Sequence, residues 1–205
     1  MTTYEHLGLG DLVERCTNRK QRRDDLCHHD PMFVDGECFF GQCDAAQSHL
    51  RNQGVGNGDV FLFFGLFADE FTGEPHHRFF GYMRVEQVHT ISSAPLPFLE
   101  KLQLLRHPHV LGIKSANNTV YWGEGALAKR AWHSLRLTKP RSSSSHWIVP
   151  SWLRTFGLTY HPNPGCWVGD EELISARRGQ EFVCDIGNDP RARAWMDYII
   201  AEIRG

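Results

Sequence analysis

Two apolar runs separated by an acidic loop are the sequence feature that most constrains the fold. Val60–Phe64 is continuously apolar and of strand length, and the preceding Gly58-Asp59 is typical of a turn. Arg78–Val88 alternates, which is the pattern of a strand with two different faces. We expect one face to carry Phe79, Gly81, Met83 and Val85, and the other to carry Phe80, Tyr82, Arg84 and Glu86.

A short polar helix is predicted immediately before these strands. Asp44 is expected to cap its first turn, and Gly54 stands where a helix often ends in a left-handed residue. Ala46 and Leu50, four residues apart, would face the core. The helix is unusually rich in hydrogen-bonding side chains, namely Gln47, His49, Asn52 and Gln53. They form either a solvated face or a set of donors and acceptors directed at a ligand, since amides can read a base edge bidentately.

The remaining elements predict an α+β protein with a mostly antiparallel sheet, peripheral helices and a single domain over residues 1–205. We expect an N-terminal helix at residues 3–16, a helix at Pro97–Leu105 and a strand at Asn118–Trp122. A final strand is expected at Gln180–Asp185. The closing helix, residues 190–204, has the clearest signals, because Asp189 can cap it and Pro190 suits its first position.

Composition excludes several classes of protein. The net charge of −2 argues against a protein that holds nucleic acid mainly by neutralising phosphates. The sequence has no run of about eighteen apolar residues, so we expect no membrane-spanning helix. The N-terminus also has no apolar signal core. The six cysteines are expected to be free thiols in a cytoplasmic protein. The sequence predicts no oligomeric state.

Two basic segments are candidates for phosphate contact. The first is a dense run of basic residues and contains Arg19, Lys20, Arg22 and Arg23. The second is rich in serine and contains Lys139 and Arg141. Each segment is either a solvated loop or an edge that contacts phosphates.

Two histidine-containing motifs are candidates for chemistry. Cys27-His28-His29-Asp30-Pro31 offers imidazoles and a carboxylate for acid–base work or metal binding, or else it forms a turn bonded to its own backbone. Cys38 and Cys43 are near enough to make a structural zinc conceivable, but the cysteine spacing fits no standard zinc motif. His107-Pro108-His109 either lines a pocket or forms a surface turn. We predict neither a metal nor a cofactor.

A series of short motifs, in a fixed order along the chain, resembles a known family. The motifs are His28–Pro31, Phe40–Gln42, Ala46–Leu50, Asn52–Val55, Gly58–Gly65, Phe80–Tyr82, His107–His109, Asn118–Tyr121 and Gly179–Val183. Together they resemble the nucleotide modification associated domain 3 family of bacteria and phages, and the stretch Asn52–Gly65 is the most specific part. The resemblance implies a link to hypermodified DNA bases. It also implies a further N-terminal strand and loop in other members, which precede the point where this sequence begins.

A fainter resemblance concerns the fold. Gly58–Gly65 followed by Arg78–Val88 is similar to the strand pairing of PUA-like modules of the EVE and ASCH type. These modules are small, mostly antiparallel barrels that often hold a modified or flipped base, so a small barrel is the alternative to an open sheet. Fold alone does not fix function.

The resemblance and the residue patterns together lead to three functional hypotheses. The first is an enzyme that hydrolyses a modified nucleobase, most concretely in a glycosylase-like reaction. Its expected catalytic residues are Asp30, His28 and His49, and its expected substrate-binding residues are Gln42, Gln47, Asn52, Gln53, His107, His109 and Tyr121. The second is a non-catalytic reader of modified DNA that uses the same residues for affinity. The third is a structural zinc protein. The expected partner of the first two is DNA or a nucleotide carrying a modified base.

Overall fold

The computed structural model describes residues 2–176 and 181–205, and these residues form a mixed α+β fold. Its nine strands are β1 (Thr2–Thr3), β2 (Leu26–Cys27), β3 (Met32–Val34), β4 (Glu37–Gln42), β5 (Val60–Ala68), β6 (Pro75–Thr90), β7 (Thr119–Leu127), β8 (His146–Ile148) and β9 (Glu172–Ile174). Its six α-helices are α1 (Gly10–Cys16), α2 (Asp44–Asn52), α3 (Leu96–Leu104), α4 (Pro108–Leu111), α5 (Ser151–Phe156) and α6 (Pro190–Arg204).

A five-stranded antiparallel sheet in the order β3-β4-β7-β6-β5 forms the centre of the molecule. The predicted pairing of the two apolar runs is confirmed, since β5 and β6 are neighbours in this sheet. Within the described residues the sheet stays open, with β3 and β5 as its edges, so the small barrel is wrong. The edge strand β3 has only three residues, against nine in β5, so little backbone is available for pairing between the two edges.

A β-bulge leaves Phe80 without a partner in β5. Because the extra residue shifts the alternation by one, Phe80 packs in the same cluster as Met83, while Phe79 packs with Tyr82 on the opposite face. The predicted alternation therefore holds for Gly81–Val85 and is wrong for Phe79 and Phe80.

Helices cover both faces of the central sheet. Leu50 of α2 packs on one face in a cluster with Tyr121. On the other face, Leu102 of α3 packs in a cluster with Val120, and α6 packs in a second cluster that includes Tyr82. The two-residue alternation of β7 puts Tyr121 and Val120 on opposite faces, which explains how one strand serves both layers.

The local signals of two helices are largely confirmed. Asp189 caps α6 by accepting from the backbone N–H groups of Arg191 and Ala192, with Pro190 at the first position. Gly54, just after α2, is left-handed with φ of +75°. The capping role of Asp44 is wrong, because Cys43 precedes the helix and Asp44 instead accepts a hydrogen bond from the Ser115 hydroxyl.

Two predicted elements differ from the structure. The N-terminal helix is shorter than residues 3–16, because Thr3 pairs with Leu26 in a strand and the helix begins at Gly10. At the predicted final strand, Gln180 lies outside the described residues, and 181–185 form no strand. Instead, the N–H of Val183 donates to the hydroxyl of Thr159, which ties this segment to a loop. No helix in the described ranges has the length and apolar character needed to cross a membrane.

Candidate functional site

The carboxylate of Asp30 is the centre of the candidate site. Asp30 lies in the connection between β2 and β3, and its side chain is only 3% exposed. Both carboxylate oxygens accept from the backbone N–H of Gly41 in β4, at 3.1 Å. One neutral donor is little compensation for a buried carboxylate, because an unpaired charge is strongly disfavoured away from water.

Three imidazoles converge on this carboxylate. The Nε2 atom of His109 lies 3.3 Å from Asp30 Oδ2, and the Nε2 atom of His28 lies 3.8 Å from the same oxygen. The Nε2 atom of His107 lies 3.9 Å from the other oxygen, Oδ1. His107 and His109 are buried, whereas the His28 side chain is 58% exposed and forms the open side of the cluster. We call Asp30, His28, His107 and His109 the Asp30 cluster.

The short helix α4 carries two of these imidazoles to the sheet. Pro108 occupies its first position, and the Nδ1 atom of His107 accepts from the backbone N–H of His109 at 3.3 Å. The ring of His109 packs directly over Gly41, where a Cβ atom would overlap it. Glycine at position 41 therefore allows the close approach that brings α4 to Asp30.

Asn118 fixes the orientation of the His109 ring. Its Nδ2 atom donates to the carbonyl oxygens of His109 at 2.8 Å and Ile113 at 3.3 Å, so its Oδ1 atom is identified as the acceptor. This Oδ1 atom lies 2.5 Å from His109 Nδ1, which must therefore carry a proton. The other nitrogen, Nε2, faces Asp30. Sequence reasoning did not assign this role to Asn118, although the residue opens the Asn118–Tyr121 motif.

Burial lowers the pKa of His107 to about 4, against a smaller opposing effect of Asp30. At neutral pH this imidazole is therefore uncharged. Because its Nδ1 atom accepts a hydrogen bond, its proton is on Nε2, and in the described part of the chain Nε2 has no hydrogen-bond partner. A carboxylate with adjacent imidazoles is an arrangement that can accept a proton from water.

The remaining predicted catalytic residue, His49, is not part of the Asp30 cluster. Its Nε2 atom lies 3.2 Å from the Thr159 hydroxyl, and its ring packs against Tyr160. Gln42 lies beside Gly41 in the chain, but its amide donates to Glu181 at 3.2 Å. The cluster thus contains two of the three predicted catalytic residues.

The predicted substrate-binding amides of α2 are separated by the structure. Gln47 is buried and accepts a hydrogen bond from the Tyr121 hydroxyl at 3.1 Å, so this pair lies inside the core. Burial raises the pKa of Tyr121. Asn52 and Gln53 are exposed at the end of the helix. The signal for a buried Gln47 was its spacing of three from Leu50, which places both on one helix face.

The residues predicted to contact phosphate differ in whether their charges are already paired with carboxylates. Arg23 is surrounded by the carboxylates of Glu5, Asp11 and Glu14, and the first two are the main cause of its raised pKa. Lys139 pairs with Glu172 at 2.7 Å. The exposed members are Arg19, Lys20, Arg22 and Arg141. A cation already paired with carboxylates is less available to a phosphate than an exposed one.

The cysteines do not assemble into a zinc site. All six are free thiols, and Cys38 is fully buried, which raises its pKa. Among residues 2–176 and 181–205, the metal-ligating group found consists of His28, Asp30 and His109 and contains no sulfur.

Two cavities lie away from the Asp30 cluster. One, of about 210 Å³, is apolar and lies between β5, α5 and α6. The other, of about 560 Å³, is more polar and is lined in part by Gln53, Asp59, Arg84 and Arg193. Neither is lined by a member of the cluster.

Comparison with known proteins adds one decisive observation. The family model for nucleotide modification associated domain 3 matches residues 1–185. The chain belongs to this family. No curated protein and no solved structure matches the chain. Membership of the nucleotide modification associated domain 3 family suggests that the protein is involved with modified nucleotides. The Asp30 cluster lies within the matched residues.

Proposed function

We propose that the Asp30 cluster hydrolyses a bond of a modified nucleobase, in DNA or in a nucleotide, in a glycosylase-like reaction. The observation that carries this proposal is the convergence of three imidazoles on one buried carboxylate. Membership of a nucleotide-modification family supports a modified nucleotide as the class of substrate. The expected place of action is the cytoplasm of a bacterial or phage-infected cell.

The proposed reaction consists of two proton transfers and the replacement of the C1′–base bond by a C1′–oxygen bond. A water molecule beside Asp30 gives up a proton to the cluster, and its oxygen forms a bond to the sugar carbon C1′. The bond between C1′ and the base nitrogen breaks, and the electron pair leaves with the base. The same proton then passes to the departing base, so that free base and an abasic sugar are the products.

Access to the cluster is from the side of His28, whose side chain is 58% exposed. A base inside a duplex has to be extruded before it can reach such a site. The exposed Lys20 and Arg22 belong to the loop that leads into β2, a few residues before His28. They are suited to holding the sugar–phosphate backbone during extrusion.

A non-catalytic reader is the second candidate. It is favoured by the polar cavity of about 560 Å³, whose lining includes Gln53 and Arg84. Amide and guanidinium groups can read base edges, and the cavity is large enough for a small ligand. A reader would bind a modified base there without chemistry at Asp30.

The test is an assay on DNA that carries plain, hydroxymethylated, glucosylated or other hypermodified bases. Released bases and abasic sites are followed by mass spectrometry. We expect release from one modified DNA and none from plain DNA. Selective retention of one DNA without any release would replace the enzyme with the reader. If no DNA is changed or retained, and free modified nucleotides are also unchanged, the proposed function is wrong.

A further inference from the structure

We propose that His28, Asp30 and His109 bind a divalent transition metal, with Zn²⁺ as the ion best suited to a hydrolytic site. This goes against the sequence-based expectation of no metal. The donor atoms of the three residues all lie within 4.8 Å of one another. The proposed role of the metal, activating water, rests on the proposed function, whereas its binding does not.

The contact between His109 Nε2 and Asp30 Oδ2 is favourable only with a proton or a metal cation between the two atoms. The amide of Asn118 holds the His109 proton on Nδ1, so a neutral ring presents the lone pair of Nε2 to the carboxylate at 3.3 Å. Two lone pairs at this distance repel each other. Either a second proton or a metal cation has to lie between them.

The groups around Asp30 are suited to binding a metal cation. Each group within ion-pair distance of its carboxylate in the described ranges is an imidazole, and no lysine or arginine approaches it. A metal would neutralise the carboxylate and use the lone pairs of His28 and His109 at once. Two imidazoles and one carboxylate form a donor set found in zinc hydrolases and in other transition-metal enzymes.

The distances fit a common metal ion after small adjustments. Ligands of a tetrahedral Zn²⁺ lie about 3.3–3.6 Å apart, given bonds of about 2.0–2.2 Å. The pair of His109 and Asp30 already has this separation, at 3.3 Å. His28 is 3.8 Å from Asp30, and its exposed side chain can approach further. The open side beyond His28 leaves a position for water, as catalytic zinc sites require.

Two further residues have the geometry of supporting partners. Hydrogen bonding of a ligand imidazole through its other nitrogen is typical of metal sites, and Asn118 bonds His109 in this way. His107 is completely buried, and its Nε2–H group is directed at Asp30 without a partner. We assign His107 as a positioning residue that orients the carboxylate oxygen not used by the metal.

The test is metal titration of the full chain, purified with a tag that contains no histidine and then treated with chelator. Binding of Co²⁺ is followed by its visible absorption, and binding of Zn²⁺ by calorimetry. We expect one equivalent of metal per chain. His28→Asn should weaken binding by about 10–100-fold or more, the range already seen for loss of a supporting residue. Asp30→Asn should abolish it.

The control is His133→Asn, which removes an exposed imidazole outside the cluster and should leave the affinity unchanged. His28 decides the test even if Asp30→Asn fails to fold, because its side chain is 58% exposed. Absence of saturable binding by the folded wild type, or equal affinities of wild type and His28→Asn, would overturn the proposal. The metal titration contains no DNA, so its result is independent of the base-release assay. If the protein binds metal but releases no base in that assay, only the proposed function is contradicted.

Discussion

The imidazole of His109 lies 3.3 Å from the carboxylate of Asp30, and this contact joins two motifs that are far apart in the sequence. It depends on a backbone position without a side chain, Gly41, and on an amide, Asn118, that holds the ring from behind. Geometry of this kind, with each member held by a neighbour, is what a catalytic or metal-binding site requires.

Gly41→Ala should displace His109 from Asp30. The added methyl group overlaps the ring of His109, which is itself buried. We expect a loss of about 1–3 kcal/mol in the free energy of unfolding, the usual result of overpacking. Urea denaturation measures it. Gly56→Ala is the matched control, because a methyl group there meets its nearest atom at 3.9 Å. Equal losses in both variants would contradict the assignment of Gly41.

Tyr121→Phe should destabilise the protein without touching substrate recognition. It removes the only donor to the Gln47 side-chain oxygen and leaves a buried polar group unpaired, within the described residues. We expect a loss of about 1–3 kcal/mol in unfolding free energy. Adding Gln47→Leu should recover part of this loss, since both partners of the bond are then gone. A change in substrate affinity at unchanged stability would instead favour a base-reading role for this pair.

Acidification below pH 6.5 should destabilise the fold in part through His161. This buried ring accepts from the backbone N–H of Ala176, and burial lowers its pKa below the ordinary 6.5. In the window between the two pKa values the unfolded chain binds a proton that the folded chain does not, so stability falls as pH falls. His161→Gln keeps an acceptor and cannot titrate.

The measurement is urea denaturation across this pH range. The wild type should lose stability more steeply than His161→Gln as the pH falls. The exposed His133→Gln serves as the control and should follow the wild type. Parallel pH profiles of wild type and His161→Gln would rule out this contribution.

Lys20→Ala and Arg22→Ala should weaken DNA binding if their loop contacts phosphates. Each lost phosphate contact should reduce the slope of log affinity against log salt by roughly 0.9. Filter binding at several salt concentrations gives the slope. Arg154→Ala is the control, because Arg154 is occupied by Asp170 at 2.9 Å. Unchanged slopes for both variants would show that this segment is a solvated loop that does not contact phosphates.

Elements with strong local signals could be predicted from the sequence. The cap of Asp189 and the first-turn proline specify α6, and the apolar runs specify β5 and β6. The bulge at Phe80 could not be predicted, because it depends on how two strands align and not on either strand alone. For the same reason the open sheet could not be distinguished from a barrel.

The candidate site could be predicted only in pieces. The sequence marks His28, Asp30, His107 and His109 as chemically useful, but nothing local says that they meet. Their meeting depends on α4 packing over Gly41, which is a long-range contact. The polarity of α2 was misleading in part, since Gln47 serves a buried hydrogen bond with Tyr121.

The most direct test of the central claim compares wild type and Asp30→Asn on the modified DNA that the wild type processes. Single-turnover base release and DNA affinity are measured on the same folded samples. We expect release to be lost in Asp30→Asn by at least about 100-fold, the lower range for removal of acid–base catalysis, while DNA affinity is retained. Undiminished release by a folded Asp30→Asn would show that the chemistry lies elsewhere in the molecule.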